Sequence, residues 1–162
     1  MISSRLQSIK PFNGLSKKVG LILAMTFSLM ANDIIVAKSC TDVRTTANNI
    51  KDIVTTKGLN VFAIINHSGN AKMVDMKLNE SKMVIFGNAK LGTALMQQDM
   101  KVGLDLPLRI LVYKDTDGVV KMAYRDGSWL ARRRVLDAPI KEKKINKAMA
   151  MFVKKAGQCS KD

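Results

Sequence analysis

The densest chemical signal in the chain is the run Gly87-Asn88-Ala89-Lys90-Leu91-Gly92-Thr93. Glycines let backbone N–H groups approach a ligand, Lys90 adds a positive charge, and Thr93 adds a hydroxyl beside an expected helix start. Gly87, Asn88, Lys90, Gly92 and Thr93 are therefore the expected binding set for a small anion. The run is not a P-loop, because the spacing and the GK[ST] ending are missing. It also reads as a structural turn in which Asn88 and Thr93 satisfy backbone groups. Asp105 and Arg109 flank Leu-Pro-Leu and are expected to pair with each other, fixing the nearby turn, with Asp126 as a further supporting acid. His67, the sole histidine, is the one catalytic candidate, as a proton carrier working with Asp105 or Asp126. No serine or cysteine nucleophile motif points to it, so a satisfied histidine at a strand end is the plainer reading.

The remaining reactive side chains exclude whole classes of chemistry. Two cysteines and one histidine are too few for a zinc finger, a four-thiolate cluster or a multi-histidine site, and no metal or cofactor is expected. Cys40 and Cys159 are candidates for a disulfide that would close nearly the whole chain; two free or intermolecular thiols are the alternative. No CxxC pair suggests a dithiol redox enzyme. Thioethers suit Cu(I), but most of the 11 methionines fall in strand or helix patterns and are expected to fill the core. Trp129 and Tyr124 read as packing residues near a turn that could also wall a pocket.

Elements that must position these residues follow from periodicity. Val43, Ala47, Ile50 and Val54 recur at helical spacing after Asp42, and Gly58 supplies the stop. The continuous apolar run from Leu59 to His67 predicts a buried strand, and Ser68 is placed to cap a short helix through Met76. Strands are expected at Lys82–Gly87, at Pro107–Lys114 and, after the Asp115-Thr116-Asp117-Gly118 hairpin signal, at Val119–Arg125. A tight turn between neighbouring strands requires an antiparallel sheet, so the class is α+β. Ile145, Met149, Phe152 and Ala156 mark one face of a final helix whose other faces carry Lys141, Lys144, Lys147, Lys154 and Lys155.

With 47% hydrophobic and 25% charged residues, the 162-residue chain has material for one core despite a net charge of +14. The basicity is lopsided: Gly127–Asp162 carries 10 Lys or Arg against 3 acids, whereas Asn32–Asp126 carries 13 against 10. Aromatic residues are only 5% and no reader motif is present, so nucleic acid is not an expected partner. Arg5, Lys10, Lys17 and Lys18 precede the apolar run Val19–Met30, the order of a secretory signal. Twelve helical residues would span roughly 18 Å, short of the roughly 30 Å core of a bilayer, which favours a signal over an anchor. Cleavage is expected after Ala31, with cleavage after Ser39 and a lipoprotein-type site at Cys40 as competitors. The first is preferred because Ile34–Ser39 reads as a strand that the domain needs.

The strings FAIINH, FGNAKLGTALMQ, LDLPLRILVYKDTDGVV and AYRDGSWLARR occur in the order found in the bacterial family catalogued as domain of unknown function 302, and the chain resembles that family from roughly Ile34 to Arg134. The resemblance implies an antiparallel sheet packed by helices, similar to one half of the TATA-binding-protein fold. Its order is strand, helix, four strands, helix, usually assembled as a homodimer. It brings no established activity, and likeness to a DNA binder in fold is no warrant for DNA binding. The chain departs from the family's usual residues at Asn66, at Ala89 and over Tyr124-Arg125-Asp126-Gly127, and its lysine-rich tail looks longer than the family core requires.

These readings combine into a secretory signal over 1–31, an α+β domain over 32–135 and a basic amphipathic helix over 136–162 that packs on or extends the domain. The leading expectation is a periplasmic or secreted, non-enzymatic module that binds a small anion or an envelope partner. Its rivals are a structural protein docking that helix on anionic lipid or protein, and an enzyme built on His67 with a carboxylate.

Overall fold

The computed structural model describes residues 33–134 and 139–159. The expected signal and its preferred cleavage point lie outside those residues, as does the boundary drawn at 135. Strands β1 (Ile35–Ser39), β2 (Asn60–Asn66), β3 (Ser81–Gly87), β4 (Leu108–Lys114) and β5 (Val120–Tyr124) form one sheet in the order β1-β5-β4-β3-β2. All neighbouring pairs are antiparallel. The α+β class and the antiparallel sheet expected from the sequence are thus present. The hairpin between β4 and β5 closes with Gly118 N–H donating to the Asp115 carbonyl at 3.0 Å, and Gly118 takes φ +80°, where a Cβ is disfavoured.

Helix α1 (Val43–Thr56) starts on Asp42, whose carboxylate accepts from the Thr45 N–H at 2.8 Å and the Thr45 hydroxyl at 2.7 Å. Those two donors hold the Asp42 carboxyl below the usual carboxylate range. The last helix, α5 (Pro139–Ala156), buries Ile145, Met149, Phe152, Val153 and Ala156. They meet Val43, Ala47, Ile50 and Val54 of α1 and the inward residues Val84, Phe86, Ile110, Val112, Met122 and Tyr124 of the sheet. Phe86 and Phe152 touch edge to face, with centroids 5.8 Å apart.

Three expectations need correction. The run after Leu59 is not a buried strand: β2 lies at the sheet edge, and Phe62 is 57% exposed. A continuous apolar run signals burial on both faces only in a central strand, and here the run also carries a register shift between Val61 and Ala63. The short helix α2 (His67–Met73) is capped by Asn66, which accepts from the Gly69 N–H at 3.0 Å, rather than by Ser68. The methionines also divide, because Met122 and Met149 are fully buried while Met73, Met76 and Met100 are largely exposed.

Cys40 and Cys159 are joined by a disulfide with their Cα atoms 5.0 Å apart, linking the residue after β1 to the segment after α5. Beside it the Cys40 N–H donates to the Gly157 carbonyl at 3.2 Å. A Cβ on Gly157 would lie 2.8 Å from the Lys38 carbonyl oxygen, so only glycine permits this approach.

Candidate functional site

Gly87 ends β3, and the residues after it are the first turns of a helix, α3 (Ala89–Met96), rather than a free loop. The change comes from Asn88, whose side chain accepts from the Leu91 N–H at 3.0 Å while its carbonyl accepts from the Gly92 N–H at 2.9 Å. Two of the donors expected to face an anion are therefore occupied within the helix. Thr93 lies within α3, one turn beyond its start.

The same segment walls a cavity of about 490 Å³. Gly87, Asn88, Gly92 and Thr93 line it together with Leu59, Phe62, Leu91, Leu95, Met96, Leu106, Pro107 and Ile145. This lining is mainly apolar. Lys90 is not part of the lining; it is exposed on the outer side of the same turn. The volume is within the range of small-molecule sites, and the chemistry suits a hydrocarbon better than an ion.

Asp105 and Arg109 do not pair. Arg134, at the end of α4 (Gly127–Arg133), donates from Nε and Nη2 to Asp105 Oδ2, both at 2.8 Å, and the two side chains are mostly buried. Arg109 makes a long 3.5 Å bond to the Leu104 carbonyl, which closes the 3₁₀ turn Met100–Leu104. Asp126 is the cap of α4, accepting from the Trp129 N–H at 3.0 Å. Local spacing favoured the partner four residues away. The partner actually chosen is 29 residues on and becomes available only once α4 packs against α5.

His67 stands apart from both acids. Because β2 to β5 alternate in direction, Asn66, Ser81, Lys114 and Val120 share one end of the sheet, while Asn60, Gly87, Leu108 and Tyr124 share the other. His67 follows Asn66, whereas Asp105 and Asp126 belong to the opposite end. Six strand steps of about 3.3 Å separate the ends by roughly 20 Å, too far for a shared proton.

Several interactions had no readable signal in the sequence. Lys121 is gripped by Asp115 at 2.5 Å and Asp117 at 2.8 Å, which holds both carboxyls low and the ammonium high. Asp33 accepts from Arg132 at 3.2 Å and Arg133 at 2.9 Å, bonds that lower its carboxyl in turn. Asn146 of α5 accepts from the Gly127 N–H at 2.7 Å and the Ser128 N–H at 3.2 Å, holding the start of α4. A Cβ on Gly127 would meet the Glu142 carbonyl oxygen at 2.8 Å, so this contact also depends on glycine. Among the described residues no group of three or more His, Cys, Asp or Glu is placed to hold a metal.

The chain belongs to the family described as Domain of unknown function DUF302, which it matches over residues 35–155. The match begins at β1 and runs almost to the end of α5, so the lysine-rich helix is part of the family region and not an addition to it. An uncharacterised conserved DUF302 protein from Bacillus stearothermophilus has the same fold. It superposes with a TM-score of 0.70 at 15% identity, covering 78% of this chain and 99% of that one.

Two curated relatives are named "Fluoride-specific ion channel FluC 1". The one from Brucella suis is 34% identical over 109 residues, 67% of this chain and 43% of the relative. The one from Brucella abortus is 34% identical over the same length, 40% of the relative. The chain thus spans about two fifths of the length of the curated relatives it matches.

Proposed function

We propose that the protein is an exported, non-enzymatic binding module whose cavity beneath α3 takes a small apolar ligand. The observation that carries this reading is the apolar lining of a cavity of about 490 Å³ at the segment expected to bind a ligand. It shifts the ligand class from an anion held by Lys90 and backbone donors to a hydrocarbon-like body enclosed by Phe62, Leu95 and Leu106. Export, to the periplasm or beyond, is supported by the positive-then-apolar order of residues 1–30 and by the Cys40–Cys159 disulfide. Cleavage before β1 is supported by the pairing of β1 with β5 along its whole length. Homodimeric assembly belongs to the same proposal and rests on the family likeness.

No channel activity is carried over from the FluC relatives. Among the described residues no helix is long and apolar enough to cross a membrane, and the match leaves more than half of each relative uncovered.

The test is a titration with the neutral dye Nile red. A saturable rise in its emission is expected for wild type and for Lys90→Ala, with strong weakening in Gly92→Leu, which fills the cavity. Weakening by Lys90→Ala together with competition by inorganic phosphate would restore the anion reading.

The exposed lysines Lys143, Lys144, Lys147, Lys154 and Lys155 of α5 favour a second reading, contact with an anionic surface. Co-sedimentation with phosphatidylserine vesicles but not with phosphatidylcholine vesicles is its expected signature.

A further inference from the structure

Helices α1 and α5 cover one face of the sheet, and the strand register lays out the other. Val36 pairs with Ala123, Ala123 with Leu111, Leu111 with Met83, and Met83 with Ile65. Partners in register point the same way, so these five side chains make an apolar row across every strand on the face away from the core. At one end of that face is a basin of about 310 Å³, floored by Met83, Leu111 and Ala123 and walled by Arg109, Arg125 and Trp129.

The wall has an unusual balance of charge. Ile110 and Tyr124 are partners on the core side, so Arg109, one position before Ile110 in β4, and Arg125, one position after Tyr124 just past β5, both belong to the open side. Neither guanidinium has a carboxylate partner among the described residues: Arg109 reaches only the Leu104 carbonyl, and Arg125 lies 4.6 Å over the Trp129 ring. The two acids that border the basin are already engaged, Asp105 by Arg134 and Asp126 by the Trp129 N–H. The buried indole Nε1 of Trp129 finds no acceptor among the described residues either. Two guanidiniums on the wall of one basin favour an anion between them, and arginine's planar fork matches a carboxylate in two places at once.

We infer that this basin is a second ligand site, selective for a small organic carboxylate whose hydrocarbon body rests on Met83, Leu111 and Ala123. Arg109 and Arg125 hold its charged end. The basin shares only Leu108 with the lining of the cavity beneath α3, and its test does not depend on the outcome there.

Trp129 is the only tryptophan, so its emission and its single indole N–H resonance report on this wall alone. The purified protein is titrated with hexanoate, with hexanol as the same body without the charge, and with inorganic phosphate as charge without the body. Hexanoate should give a saturable change in both signals, at a concentration at least about tenfold below any response to the other two. Arg109→Gln and Arg125→Gln, both at exposed positions, should each raise the half-saturating hexanoate concentration by about tenfold or more. An equal response to hexanol or phosphate, or variants that titrate as wild type, overturns the proposal. So does an emission that varies with protein concentration and ignores hexanoate, which would assign the face to a second copy of the chain.

Discussion

Two concavities of this domain invert what their residues advertise. The segment Gly87–Thr93 has the composition of an anion cradle, yet it folds as a capped helix over an apolar cavity. The basin on the open face has no motif at all, yet it gathers two arginines without carboxylate partners among the described residues. A short motif specifies only the local backbone, and Asn88 settled that question in favour of a helix cap. Charge that remains available for a ligand is decided by long-range partners, such as Arg134 taking Asp105 away from Arg109.

The contrast can be probed in order of expected effect. Reducing the disulfide, or replacing Cys159 with serine, should lower unfolding free energy by about 4 to 5 kcal/mol on the chain-entropy argument for so long a loop. Chemical denaturation measures this, and the Nile red and hexanoate responses should both survive at low denaturant because neither site includes the bridge. Loss of one response alone would show that the bridge supports that site. Asp105→Ala should cost about 2 kcal/mol by leaving Arg134 mostly buried and unpaired, yet tighten hexanoate binding by removing a negative charge from the basin. Weaker hexanoate binding in that variant would mean that Asp105 positions the wall.

The smallest effect is expected at Gly92. It lies in α3 with a negative φ, and an added Cβ would meet only Leu106 Cδ1 at 3.6 Å, an ordinary contact. Gly92→Ala should therefore raise stability by about 0.5 to 1 kcal/mol, read from the thermal midpoint. It should trim Nile red affinity slightly and leave hexanoate binding untouched.

Legibility in the sequence followed the range of each interaction. Helix α1, the β4–β5 hairpin and the inward stripe of α5 were readable because capping residues, turn residues and helical spacing are local signals. Ile34–Ser39 reads as a strand in the sequence, but nothing in it names β5 as its partner. The exposure of β2 was misread because an apolar run looks alike at the centre and at the edge of a sheet. At the candidate site the sequence marked Gly87, Asn88, Gly92 and Thr93 of the cavity lining, whereas Lys90 lies outside it. The lining needs Phe62, Leu106 and Ile145, which are dispersed over more than 80 positions of sequence.

The placement of β1 also bears on the order of assembly. The first strand of the domain docks on the last, with Ile35 opposite Tyr124, so its hydrogen bonds wait for almost the whole sheet to be present. A chain emerging from its N-terminus can form the β2–β3 pair, joined through α2, and the β4–β5 hairpin early, while β1 stays unpaired until the end. Such high contact order slows folding and prolongs exposure of an unpaired strand edge, so β1 is the last strand of the sheet to be protected.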